Sequence, residues 1–366
     1  MALDVRAVSS LYGGFWNFEI QDFCYMTNQY FPPDEFIESL SSRLRTLVKS
    51  YPSTNSHLSS LIAEPLGMGR QEVVVANGAS ELISVISSLY FEHLAIPTPT
   101  FDEYINRAHV QGKRVSPYAM EMDFRLDVDG FIAHVRETRA NSVVVVRPNN
   151  PSGTLVSKEE TVRMLRAFSS LDMVVIDESF LYFADSDDAD PSVAGMIHEF
   201  PNMVILKSLS KAYGVPGLRL GYAASGNQRV TASLRANLPI WSINSLAQFF
   251  LESMVAYRTQ FSDSCVQVRR ATQALYQGLR TVPILEPYPT QGNYVLCRTS
   301  HGFTGSELTA LLFEKHGVLI NDCGAKRGLD NQFVRIASRT AEENDGLVRT
   351  LHVIANEIPS PEGARR

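Results

Sequence analysis

Four short apolar runs limit what this chain can become. They lie within Glu72–Ala76, Ser142–Arg147, Met173–Ile176 and Met203–Leu206, and each holds four consecutive apolar residues. A strand that is apolar at every position is buried on both faces. Helical periodicities lie between them: Leu82, Val85, Ile86 and Leu89 in one stretch, Val162, Leu165 and Phe168 in another. His93–Ile96 adds a further short strand. Strands alternating with helices predict an α/β fold with a mostly parallel sheet covered on both sides, a three-layer α/β/α domain.

Each run ends in a polar or turn-forming cluster. These are Asn77-Gly78-Ala79-Ser80-Glu81, Pro97-Thr-Pro-Thr-Phe101, Pro148-Asn149-Asn150-Pro151-Ser152-Gly153, Asp177-Glu178 and Ser208-Leu-Ser210-Lys211. In such sheets the ligand crevice lies outside the carboxyl ends of the strands. The first cluster joins a strand to a helix N-terminus, a geometry that presents backbone N–H groups to a phosphate. The last places a lysine on a turn, with Gly217-Leu-Arg219 following it.

The flanking regions read differently. Residues 1–33 form an irregular, aromatic-rich N-terminal arm that is expected to pack on the body. Residues 34–250 form the large domain, and 251–366 a smaller α+β C-terminal domain with a hinge near 250. That smaller unit has strands at Asn293–Cys297, Val318–Ile320 and Phe333–Ala337. Its helices span Ser306–His316 and Ala341–Ile358, and its tail, Pro359–Arg366, is expected to be frayed. After a helix carrying Tyr104 and Ile105, an irregular stretch is expected before a helix through Phe131, Ile132 and Val135.

Composition narrows the function. A net charge of -6 without a basic block gives no nucleic-acid surface. The four cysteines are scattered and the eight histidines dispersed, so no metal site is expected. No apolar run is long enough to span a bilayer, and Met1–Arg6 opens no signal peptide. A cytoplasmic protein with reduced thiols is the expectation.

Taken in order, these motifs resemble fold-type I pyridoxal-phosphate enzymes of aminotransferase class I/II. The resemblance runs from about Gly13 to Ile354, through Gly13-Gly14, Asn77–Leu82, Pro148–Gly153, Asp177-Glu178, Ser208–Lys211, Gly217–Arg219 and Arg335-Ile-Ala-Ser-Arg339-Thr. Within the class the chain is most similar to histidinol-phosphate aminotransferases and threonine-phosphate decarboxylases. It also resembles aminotransferase modules fused to nucleotidyltransferases in phosphonate pathways.

The resemblance implies roles. Lys211 holds pyridoxal 5′-phosphate as a Schiff base and then moves the substrate's α-proton. Asp177 pairs with the pyridine nitrogen. Asn150 donates to the ring phenolate oxygen, and Phe101 stacks on the ring. Gly78, Ala79 and Ser80 cradle the phosphate with Ser208 and Arg219, and Ser210 is nearby. Tyr51 resembles a tyrosine that reaches the neighbouring subunit's phosphate, which implies a homodimer. Arg335 grips the substrate carboxylate, and Asn28 and Tyr12 lie where arms of relatives fold over substrate.

Some residues depart from the class pattern. Phe180 stands where many members have a tyrosine hydroxyl, and Arg147 replaces the usual asparagine before Pro-Asn-Asn-Pro. Nothing in the sequence accounts for Arg147. Arg339 lies two strand periods beyond Arg335, so both could face one pocket if the strand continues. Two arginines there suit a substrate with a second anion, phosphate or phosphonate. Transamination between a small amino donor and a keto-acid acceptor is the leading expectation. Phospho-amino-acid decarboxylation is the alternative, followed by replacement, cyclisation or C–C bond formation. A non-catalytic regulator is disfavoured by the intact Lys211, Asp177, Asn150 and Arg219.

Overall fold

A computed structural model of the chain describes residues 5–185, 190–300 and 302–357. Ile358 and the tail Pro359–Arg366 lie outside the described residues. The arm contributes β1 (Gln21–Asp22). The central sheet contains β2 (Val73–Asn77), β3 (His93–Thr98), β4 (Arg114–Ala119), β5 (Ser142–Val146), β6 (Met173–Asp177), β7 (Met203–Ser208) and β8 (Leu220–Ala224). Their order is β2-β8-β7-β6-β5-β3-β4. Only β8 runs antiparallel to its neighbours; the other pairs are parallel.

The sheet separates two apolar layers, and the runs alternate between them. Val143, Val145, Val174, Ile176, Met203 and Ile205 face one layer. Val144, Val146, Met173, Val175, Val204 and Leu206 face the other. This is why every position in these strands must be apolar: each full burial is worth about 1.5–3 kcal/mol.

Two strands of the central sheet were not foreseen. β4 falls in the stretch expected to be irregular. It is a half-exposed edge strand containing Pro117, and edges tolerate proline because one side needs no ladder bonds. β8 is short and contains Gly221, whose backbone lies against the start of the helix Ala79–Tyr90: a Cβ there would sit 2.5 Å from the Ala79 nitrogen.

The smaller unit holds β9 (Leu285–Pro287), β10 (Tyr294–Thr299), β11 (Val318–Leu319), β12 (Asn321–Asp322) and β13 (Phe333–Ala337). Four of these form an antiparallel sheet, β12-β13-β10-β9. The arm does pack down. β1 pairs with β11, Phe23 enters the core of the smaller unit, and Met26 and Phe31 enter the large core. The helix Arg258–Leu279 joins the two cores: Phe261, Cys265 and Val268 pack with the large one, Leu275 and Leu279 with the small one. Among the described residues no helix is long and apolar enough to cross a membrane.

Candidate active site

Lys211 sits on the short helical turn Leu209–Ala212 that leaves β7. The arm buckles this turn into place. The Asn28 backbone N–H donates to the Lys211 carbonyl at 2.9 Å, and its side-chain amide donates to the Ala212 carbonyl and the Ser264 hydroxyl, both at 2.8 Å. Gly214, at φ +60, follows; a Cβ there would meet the Phe31 carbonyl oxygen at 1.9 Å. Asn28 was expected to reach substrate. Its amide is instead spent on this joint, because Asn28 Oδ1 also accepts from the Tyr30 N–H.

Among the described residues the Lys211 amine has no hydrogen-bond or ion-pair partner. Burial, then the positive charges of Arg335 and Arg219, lower its pKa to about 8. A lysine held there has a neutral, nucleophilic fraction near neutral pH.

The helix Ala79–Tyr90 follows β2 directly. Its N-cap is Gly78, at φ 79, with no side-chain cap. The first-turn N–H groups of a helix have no partners within it. Arg219, in the left-handed region at φ 57, lies across this end; a Cβ on Gly78 would be 2.4 Å from an Arg219 Nη atom. The Ser210 hydroxyl is buried without a partner, and the Ser208 N–H donates to Ser179 Oγ at 2.9 Å. Open N–H groups, a guanidinium and an orphaned hydroxyl suit an anion such as a phosphate.

Asp177, the last residue of β6, is buried. It accepts from the Tyr104 hydroxyl at 2.8 Å and the Ser179 N–H at 2.9 Å. Burial raises its pKa despite these bonds. Asn150 Oδ1 accepts from Arg335 Nη1 at 2.6 Å. Phe101 meets Tyr104 edge-on, with centroids 6.3 Å apart. Phe180 packs edge-on against Tyr294, whose hydroxyl donates to the Asn149 carbonyl at 2.6 Å. Sequence reasoning missed Tyr104 and Tyr294 as site residues. The usable signal was a tyrosine on a buried face, since a buried phenol needs a partner.

Arg335 is buried on β13. It also donates to the Cys24 carbonyl at 2.9 Å and lies 5.7 Å from the Tyr294 ring, while its Nε is buried without a partner. Arg339 does not share this setting. β13 stops at Ala337, so the strand period no longer aims Arg339. Its guanidinium pairs with Glu343 at 2.8 Å and donates to the Asp22 carbonyl at 2.7 Å. Lys211, Arg219, Asn150 and Arg335 are thus brought together around one lysine. Tyr12 is exposed, and so is Tyr51, which stacks on Trp241 at 4.4 Å.

A phosphorylated pyridine aldehyde fits this donor set: an amine with no partner, an uncapped helix end beside an arginine, and a buried carboxylate. The comparisons agree. The sequence profile of aminotransferase class I and II matches residues 15–351. The CMP-5′-(3-aminopropyl)phosphonate synthase of Streptomyces rubellomurinus is 36% identical over 362 residues, covering 98% of this chain and 56% of the relative. The chain therefore spans just over half of that relative's length. An L-serine phosphate decarboxylase of Campylobacter jejuni is 30% identical, covering 90% of this chain and 87% of the relative. A histidinol-phosphate aminotransferase structure from Clostridium acetobutylicum has a TM-score of 0.85 at 26% identity, covering 93% of this chain and 100% of that one.

Proposed function

The chain belongs to aminotransferase class I and II, a pyridoxal 5′-phosphate-dependent enzyme family, and on that footing we propose that it transfers an amino group between a small amino compound and a keto acid. The observation that carries this reading is the Lys211 amine: without a partner among the described residues, and lowered to about 8 by burial and by the charges of Arg335 and Arg219.

When bound, the cofactor supplies an electron sink for negative charge at the substrate's α-carbon. The chain's residues do the rest. Lys211 would hold the cofactor through its aldehyde, and its amine is the group that would take and return the substrate's α-proton. Asp177 would pair with the ring nitrogen and favour its protonated form, and Asn150 would hold the ring oxygen. The N-terminus of the helix Ala79–Tyr90, with Ser208, Ser210 and Arg219, holds the phosphate. Arg335 grips the carboxylate with its planar guanidinium; the Asn150 and Cys24 bonds preset its orientation. Phe101 covers one ring face.

Decarboxylation of a phospho-amino acid is the second reading. It is favoured by the serine-phosphate decarboxylase, which this chain matches over 87% of that relative's length. Incubating the holoenzyme with amino acids and phospho-amino acids separates the two. Keto-acid formation that consumes an added acceptor supports transamination; stoichiometric carbon dioxide without keto acid refutes it.

A homodimer completes the proposal. Ile37, Leu44 and Val48 form an exposed apolar stripe on the helix Asp34–Val48, and Tyr51, Ile240 and Trp241 are exposed nearby in the chain's packing. A second copy would cover this face and receive Tyr51. Sedimentation of the holoenzyme at the monomer mass at micromolar concentration would sink that part.

A further inference from the structure

Arg147, which the sequence left without an account, has a place in the fold. Val146, Asp177 and Leu206 stand side by side in register on β5, β6 and β7. Arg147 and Glu178 follow directly on the ends of β5 and β6, beside Lys207 of β7, and ladder-like backbone bonds from Arg147 and Glu178 to the neighbouring strands carry the register one residue further. All three side chains lie on the sheet face opposite Asp177's and are buried.

Glu178 sits between two cations. Arg147 Nη1 is 2.9 Å from Glu178 Oε1, and Lys207 Nζ is 3.1 Å from Oε2. Ser192 Oγ and the Val193 N–H also donate to this carboxylate. Arg147 further donates to the Val156 and Pro191 carbonyls, both at 3.0 Å, and the Lys207 ammonium lies 5.0 Å from the Tyr182 ring centroid. The backbone is tied at the same rank: the Arg147 N–H donates to the Asp177 carbonyl at 2.8 Å, and the Glu178 N–H to the Leu206 carbonyl at 2.9 Å.

We propose that Arg147, Glu178 and Lys207 form the positioning element for Asp177, with Arg147 acting through Glu178. Asp177 and Glu178 share a peptide plane, so anchoring Glu178 from behind restrains the backbone from which the Asp177 side chain projects, and the Tyr104 and Ser179 donors then set its torsions in front. On the front, the Asp177 side chain has only the Tyr104 and Ser179 donors among the described residues. A carboxylate that must meet a ring nitrogen needs its angle set from both sides; the partners that orient metal-binding side chains carry about 10–100-fold in affinity or activity, and the lower end of that range is taken over to this carboxylate. Buried ion pairs are weak sources of stability but strong constraints on geometry once formed. This inference rests on the reading of Asp177 as the ring-nitrogen partner.

The test measures two quantities: the dissociation constant for pyridoxal 5′-phosphate and the pH midpoint of the holoenzyme's visible absorption band. Both are read for wild type, Asp177→Asn, Arg147→Met and Leu234→Ala. Leu234→Ala removes core volume elsewhere in the large domain and controls for lost stability. Arg147→Met is expected to weaken cofactor binding about tenfold and to move the midpoint in the same direction as Asp177→Asn. Leu234→Ala is expected to change neither. An Arg147→Met protein that binds and titrates as wild type overturns the proposal, as does a Leu234→Ala protein that reproduces its shifts. If Asp177→Asn itself changes neither quantity, the reading of Asp177 fails rather than the positioning role. Should Arg147→Met not fold, Arg147→Lys keeps the charge and loses the planar guanidinium. A shift of the midpoint toward that of Asp177→Asn is then expected, and a wild-type midpoint overturns the proposal.

Discussion

The two faces of the sheet at the ends of β6 and β7 carry nearly the same residue types and do opposite things with them. Behind the sheet, Lys207 is paired with Glu178. In front, Lys211 has no partner among the described residues. Burial acts on both lysines in the same direction, yet Lys207 is raised because the charge and hydrogen bond of Glu178, together with Tyr222 and Tyr182, outweigh it, while Lys211 is lowered to about 8 by burial and then by the charges of Arg335 and Arg219. The carboxylates mirror this. Burial would raise both. Asp177, with neutral donors, stays raised; Glu178, between Lys207 and Arg147, ends up lowered. Burial alone therefore does not make a residue reactive. What decides is whether its counter-charge is supplied by the protein or left for a ligand.

The sharpest way to break this contrast is to exchange the fates of the two lysines. Lys211→Ala is expected to lower turnover by about 10³-fold or more, with melting close to wild type. Lys207→Met is expected to keep the covalent attachment at Lys211 and to lower activity by no more than the roughly tenfold expected of Arg147→Met, but to cost about 3–5 kcal/mol in urea unfolding, since it removes one of the two cations that pair with the buried Glu178 carboxylate. A catalytic loss in Lys207→Met equal to that in Lys211→Ala would erase the distinction.

The same logic separates the two arginines. Arg335 keeps a buried Nε without a partner, whereas Arg339 is held by Glu343. Arg335→Ala should lower kcat/KM about 10²-fold for carboxylate substrates, the effect of losing a buried charge-assisted pair. Arg339→Ala should cost less than about fivefold, because a half-exposed pair gives little. A larger loss for Arg339, confined to phosphorylated substrates, would restore the expectation that it binds a second anion.

A pH dependence sharpens the contrast without a substitution. Only the neutral amine adds to an aldehyde, so cofactor capture by the stripped protein should rise about tenfold per pH unit below about 8 and level off above it. A rate still rising steeply to pH 10 would mean that Lys211 is not depressed.

The front face was largely legible in the sequence. Asn77–Ser80, Pro148–Gly153, Asp177 and Ser208–Lys211 are local motifs, each complete within a few residues at a strand end. The back face was not. Glu178 and Arg147 are 31 residues apart and meet only through the register of neighbouring strands. Arg339 misled for a related reason: its aim depended on a strand that stops at Ala337. Asn28 was placed near the site correctly, but its partners, Ala212 and Ser264, lie 184 and 236 residues away, so its structural use could not be read locally.

Borohydride reduction of the holoenzyme, followed by peptide mapping, tests the central claim most directly. The account predicts one reduced cofactor per chain, attached to Lys211 and absent in Lys211→Ala. Attachment at Lys207, or no covalent adduct at all, would contradict it.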